Sequence, residues 1–281
     1  MKIAYGTYAM PHLPLEQAIP MLHAMGYEGV EICLSPSHAG SMPQQLDAYR
    51  RTTIARLLLD HGMGVPALFI LRSILHDDDE GHRDNLEFTC AVAQLARDLG
   101  LSENPVIALP IGGKTERWEQ DRDRIAAQLA DYGELGAREG FVVAGELHRG
   151  AAVDSSARCL WLVEQVGRDN VGIHFDVVHT FTGGERVEDS VRDLAPVTKH
   201  THVTDARRRE DGEFALEVLG KGELDVVAYA RAMHETGWDD FITVEVSMRI
   251  WGQDDYDVEE VARISYATLE RAFVAAGLPR G

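Results

Sequence analysis

Val142-Val143-Ala144-Gly145-Glu146, Gly172-Ile173-His174-Phe175-Asp176, Lys199-His200-Thr201-His202 and Phe241-Ile242-Thr243-Val244-Glu245 follow one another through the second half of the chain. Each reads as a short buried strand that ends on a side chain able to bind a hard divalent cation. Glu146, Asp176, His202 and Glu245 stand 30, 26 and 43 residues apart, about one strand–helix unit per step with an extra loop in the last. Neighbouring parallel strands in a barrel bring such ends to one mouth, where barrels of this kind carry their chemistry.

Outward from these segments the same rhythm runs from end to end. Strands are expected over 3–8, 27–33, 65–71, 106–112, 141–147, 171–177, 199–205 and 241–247. Helical patterns lie between and after them, over 15–25, 44–61, 81–99, 119–139, 155–166, 186–194, 225–235 and 259–275. This alternation argues for βα units closed into a single (β/α)8 TIM barrel. Gly26, Gly62, Gly100, Gly140, Gly167 and Gly237 fall just past helical runs, where a left-handed cap suits a residue without a Cβ. The long loops 34–43, 72–80, 206–224 and 248–258 all follow strands and so belong to the face of the four candidate ligands. No linker or composition break divides the chain, so one domain over 1–281 is expected.

With 281 residues and 45% hydrophobic composition, the chain can fill a barrel of roughly 250 residues. Its 27 Lys and Arg against 46 Asp and Glu leave a formal charge of −19, which argues against a nucleic-acid partner. Cys33, Cys90 and Cys159 are widely spaced and form no disulfide framework, which suits a reducing compartment. The N-terminus enters a strand without a signal-peptide pattern, and no apolar run reaches the roughly 20 residues of a membrane span. A cytoplasmic protein is expected, with no membrane partner.

Three carboxylates and one imidazole form a hard donor set suited to Mn²⁺ first, with Mg²⁺ or Co²⁺ as alternatives. Such an ion can chelate two vicinal substrate oxygens and stabilise the charge left when a proton departs from the carbon between them. Glu146 and Glu245, on well-separated strands, are the candidate acid/base pair as well as ligands. A single one of these carboxylates has roughly even odds of being structural, whereas four at strand ends point jointly to a metal centre. His148 shares the face of Glu146, and His179 lies just past Asp176; either can hydrogen-bond a substrate oxygen, or His179 can orient Asp176. Arg208 can bind substrate or belong to a solvated charge run with Arg207 and Arg209. Glu31 can anchor substrate or pair with a core arginine. Trp251 and Phe69 can wall the pocket or serve only in packing.

Several segments resemble the xylose isomerase-like TIM-barrel family of sugar isomerases and epimerases. They are Gly29-Val30-Glu31-Ile32, Gly145-Glu146-Leu147-His148-Arg149-Gly150, Phe175-Asp176-Val177-Val178-His179, His200-Thr201-His202-Val203-Thr204-Asp205 and Gly220-Lys221-Gly222-Glu223-Leu224-Asp225, in order and spacing. The resemblance implies the metal ligands Glu146, Asp176, His202 and Glu245, the two glutamates as acid and base, and substrate contacts by His179 and Arg208. Thr204 stands where many relatives carry Lys, and Leu147 where Asn or Pro is common. The expected activity is metal-dependent isomerisation or epimerisation of a small sugar or related hydroxy-carbonyl compound through an enediolate. A dehydratase of a cyclic polyol ketone or dehydroshikimate-like acid is the alternative. A non-catalytic ligand-binding subunit and an apurinic-site endonuclease rank below these; His12, His38, His76 and His82 do not end strands, and the charge is wrong for DNA. The resemblance also leaves room for a homo-oligomer, dimer or tetramer.

Overall fold

The computed structural model describes residues 1–278; the last three positions of the expected 1–281 domain lie outside the described residues. Its strands are β1 (Lys2–Gly6), β2 (Gly29–Leu34), β3 (Leu68–Ile70), β4 (Val106–Pro110), β5 (Val142–Glu146), β6 (Val171–Asp176), β7 (Thr198–Val203), β8 (Asp205–Arg208), β9 (Phe214–Glu217) and β10 (Phe241–Val244). Eight of them close into a barrel in the order β1-β10-β7-β6-β5-β4-β3-β2, and the pairings between barrel neighbours are parallel. All eight expected strands are present, with ends shifted by a few residues. The connecting helices are α1 (Leu15–Met25), α2 (Ala48–Asp60), α3 (Asp79–Asp98), α4 (Trp118–Glu139), α5 (Ser156–Val166), α6 (Val177–Thr182), α7 (Val187–Leu194), α8 (Val226–Glu235), α9 (Met248–Trp251) and α10 (Val258–Ala275). The chain is therefore a (β/α)8 barrel, with α6, α9 and the β8–β9 hairpin added on its strand-to-helix loops.

Local chemistry sets the element ends. Gly26 closes α1 at φ 101°, and its N–H donates to the carbonyls of His23 and Leu22; a side chain there would be strained by that φ and would strike Tyr266. The other expected capping glycines also have positive φ. Aspartates begin several helices: Asp47, Asp78, Asp225 and Asp257 each accept a backbone N–H of the first turn.

Strand alternation divides the core into two layers. Outward residues such as Ile3, Tyr5, Val30, Ile32, Ile173 and Phe175 join the large cluster that packs strands against helices. A separate cluster of Ala67, Phe69, Ala108 and Ala144 fills one side of the barrel interior. The other side is polar: Glu31, His174, His200, His202 and Thr243 are each at most 2% exposed. Small alanines on β4 and β5 leave room for one large apolar side chain, Phe69, whose ring meets His174 and His202 edge-on at 5.4 and 5.5 Å. Burial of that ring contributes about 2 kcal/mol.

The stretch 206–224, expected as an open loop, contains the antiparallel β8–β9 hairpin, with Ala206 opposite Leu216 and Arg208 opposite Phe214. Exposed Arg207 and Arg208 lack the apolar alternation that marks a strand. Order comes instead from buried Asp205, whose carboxylate accepts the N–H groups of Ala206, Gly220, Gly222 and Leu224 at 2.8–3.0 Å. Gly222 must be glycine because a Cβ there would collide with that carboxylate. Replacing Asp205 by Ala removes four charge-assisted acceptor contacts. The variant is expected to lose about 3 kcal/mol of stability and to exchange the amides of 206–224 faster while barrel strands keep their protection, measurable by denaturant melts and hydrogen exchange.

Candidate metal and catalytic site at the barrel mouth

Parallel register carries the expected ligands to one level. Asp176 pairs with His202, and His202 with Thr243, two residues before Glu245; Glu146 ends β5 beside His174 of β6. Glu245 lies one residue past β10, and its N–H donates to the Val203 carbonyl at 3.2 Å, extending the ladder by one step. The four side chains each offer one ligand atom, and these atoms all lie within 4.8 Å of one another. His202 Nδ1 is 3.4 Å from Glu245 Oε2 and 3.9 Å from Glu146 Oε1. Asp176 and His202 are fully buried, Glu146 is 5% exposed, and Glu245 is half-buried.

Asp176 divides its two oxygens. Oδ1 accepts the Val178 N–H at 3.1 Å and so caps α6, while Oδ2 is buried without a hydrogen-bond partner, as is His202 Nδ1. Electrostatics express the same crowding. Burial and the charge of Glu245 raise the Glu146 carboxyl well above the usual carboxylate range. The same two causes lift Asp176 to about 7. His202 goes well above an ordinary imidazole: burial works against its charge, but Glu31 and Glu245 outweigh it. Protons are thus drawn to a place where three carboxylates face one imidazole. A divalent cation fits it, because such an ion would satisfy the orphaned Asp176 Oδ2 and His202 Nδ1 and offset the clustered negative charge.

The mouth is a cavity of about 230 Å³ lined by Tyr8, Phe69, His148, His179, Thr204 and Leu216 together with the carboxylates. Of the expected substrate-contacting residues, His148 and His179 are there, with ring centroids 3.9 Å apart. His148 Nδ1 lies 2.8 Å from the Arg149 carbonyl, which only accepts, so the proton sits on Nδ1 and Nε2 is unprotonated in the neutral ring. His179 lies in the first turn of α6, 3.6 Å from Asp176 Oδ2, and burial together with His148 holds it well below the usual imidazole range, hence neutral. It therefore both lines the pocket and adjoins Asp176.

The remaining three lie elsewhere. Glu31 is beneath the mouth, fully buried, and its partners are His200 and His202 rather than an arginine. Arg208 is exposed on β8, its guanidinium 4.5 Å over the Phe214 ring, outside the cavity lining. Trp251 packs edge-on to Tyr8 at 5.5 Å and supports the wall from behind. Thr204, in place of the lysine of many relatives, brings its hydroxyl 3.2 Å from the Glu245 carbonyl and 3.4 Å from its Oε2, so it braces that carboxylate. Leu147 turns outward into the main core, so its departure leaves the pocket unchanged. Sequence reasoning gave no role to Tyr8, His174 and His200. Tyr8 ends the first expected strand, the same signal that marked the four ligands, whereas only tertiary register shows what His174 and His200 face.

The chain belongs to the xylose isomerase-like TIM barrel family, whose profile matches residues 19–270. It is 24% identical over 238 residues to an inosose isomerase of Bacillus velezensis, covering 83% of each chain. Among solved structures it superposes on IolI protein with a bound zinc atom, at a TM-score of 0.79 and 19% identity, over 98% of both chains. It also superposes on D-psicose 3-epimerase solved with D-fructose, at 0.80 and 14% identity, over 99% of this chain and 100% of that one. The two solved structures share the fold, and the family with the inosose isomerase supports an enzyme of the isomerase/epimerase class.

The raised groups make a signed prediction for the metal-free protein. Asp176 binds its proton more tightly folded than unfolded, so its contribution is present at low pH and is lost as pH climbs from about 4 through about 7. The His202 contribution is complete below its ordinary value of 6.5 and is lost above it, in the same direction. Buried His174, His179 and His200 are held below the usual imidazole range and pull the other way up to 6.5, so melting temperature should fall as pH rises above 6.5, and added Mn²⁺ should raise it more at pH 8 than at pH 5, where protons compete. Scanning calorimetry with and without the ion checks both.

Proposed function

We propose that the protein is a divalent-metal-dependent isomerase or epimerase of a small hydroxy-carbonyl compound of the sugar or polyol class. The observation that carries this is the placement of Glu146 and Glu245 at the ends of β5 and β10, with β6 and β7 between them, an arrangement in which two carboxylates would flank one reacting carbon. Glu146, Asp176, His202 and Glu245 would hold the ion, with Mn²⁺ favoured by the oxygen-rich donor set and Mg²⁺ or Co²⁺ next. When bound, the ion supplies a Lewis acid for two vicinal substrate oxygens.

The residues do the rest. One glutamate takes the proton from the carbon beside the carbonyl, leaving an enediolate, and a proton is returned from Glu146 or Glu245. Return to the opposite face of the same carbon epimerises; return to the adjacent carbon isomerises. His148 and neutral His179 would hydrogen-bond the substrate oxygens. Tyr8, Phe69 and Leu216 exclude water around the reacting carbons. Among the described residues the cavity lining holds no Lys or Arg, which favours an uncharged reacting end on the substrate.

A second reading has one specific support. Glu146 and Glu245 come to one mouth from separate strand ends, so one could take the proton beside the carbonyl while the other passes a proton to a departing β-hydroxyl, which would make the enzyme a dehydratase of a cyclic polyol ketone. We also infer a cytoplasmic enzyme, consistent with three free cysteines, without a nucleic-acid partner, and with homo-oligomer formation open to it. No described helix is long and apolar enough to cross a membrane.

The test is metal content by mass spectrometry, then incubation of the Mn²⁺ enzyme with hydroxy-ketones in D₂O. Solvent deuterium should enter the carbon beside the carbonyl, and Glu146→Gln or Glu245→Gln should slow turnover by about 10²–10⁴-fold. Loss of water from the product would favour the dehydratase. Metal bound without exchange on any candidate would sink both readings.

A further inference from the structure

Beneath the mouth lies a set of buried groups that the proposed chemistry leaves unused: Glu31 on β2, His174 on β6 and His200 on β7, with His202 belonging to both levels. All four are at most 2% exposed. Glu31 Oε2 lies 2.5 Å from His200 Nε2 and 2.8 Å from His202 Nε2. Those are hydrogen-bond lengths to one shared oxygen, and an ionised carboxylate only accepts, so both Nε2 atoms carry their protons.

The consequence appears at the other end of the His202 ring. With the proton on Nε2, a neutral imidazole turns the Nδ1 lone pair toward Glu146, Asp176 and Glu245. The opposite tautomer would direct an N–H at Glu245 Oε2, 3.4 Å away, and place a proton where an ion belongs. We infer that Glu31 is a positioning residue that locks His202 in its Nε2–H tautomer, and so sets the affinity of the mouth for a divalent ion, while His200 anchors the Glu31 carboxylate. This rests on the metal-site reading above.

The surroundings are shaped for this pair. A Cβ on Gly6, the register partner of Glu31, would come within 2.8 Å of Glu31 Oε1, so glycine leaves space for the carboxylate. His174 stands edge-on to His202, with centroids 4.0 Å apart and planes at 84°. Neither His174 nitrogen has a hydrogen-bond partner, so the ring limits tilting of His202 without competing for Glu31.

The experiment is Mn²⁺ titration of the metal-free wild type, Glu31→Met, Glu31→Gln and Asp176→Asn, with ¹⁵N NMR of the histidines in the Zn²⁺-loaded proteins. Glu31→Met keeps the bulk and removes the acceptor, and should weaken Mn²⁺ binding by about 10–100-fold. Glu31→Gln retains an accepting oxygen without the charge and should fall between. Wild-type His202 should show a slowly exchanging Nε2 proton that Glu31→Met loses. Wild-type affinity in Glu31→Met alongside loss in Asp176→Asn would overturn the positioning role and leave the metal site standing. Absence of binding in the wild type would instead overturn the metal reading itself. If Glu31→Met fails to fold, Glu31→Gln and Gly6→Ala, which displaces the carboxylate, carry the same test.

Discussion

Three carboxylates share a buried mouth with a single imidazole, and the rest of the barrel is arranged around the repulsion this creates. Unit charges no more than 4.8 Å apart at an effective dielectric constant near 20 repel by at least about 3 kcal/mol, which adds to burial in raising the Glu146 and Asp176 carboxyls above the usual range. His202 is the nearest counter-charge, and it is held from below by Glu31. This constraint explains why one half of the barrel interior is alanine and phenylalanine and the other half is acid and imidazole. A barrel filled evenly with branched aliphatic side chains would have no polar column on which to stand a cation site.

The same groups serve folding and chemistry at once. Asp176 ends β6 and caps α6 with one oxygen, so the aim of its other oxygen into the mouth is fixed by helix formation. The short helix in turn carries His179 to the pocket. Asp205 does comparable work one strand later by gathering four backbone N–H groups and seating the hairpin that brings Leu216 to the cavity. Thr204, between His202 and Asp205, braces Glu245. The segment from His200 to Asp205 therefore organises three levels: the buried column, the mouth and its cover.

The alternation of strand-like and helical patterns, the glycine stops and the metal-ligating side chains at strand ends were legible without coordinates, because each is a local regularity of the chain. Backbone sterics and side-chain periodicity act over a few residues, so they leave a mark that a sequence carries openly. Fold class and the candidate ligands Glu146, Asp176, His202 and Glu245 followed from these marks. Glu31, Arg208 and Trp251 were also visible as chemically capable residues near strand ends, but their surroundings were not. Whether Glu31 meets substrate, arginine or histidine depends on a partner some 170 residues away. The hairpin likewise escaped notice because its order depends on one buried aspartate and not on its own pattern. Register and closure decided these points: a shift of one residue turns a side chain from the barrel interior to the helical layer, and only the closed ring fixes which interior side chains face one another.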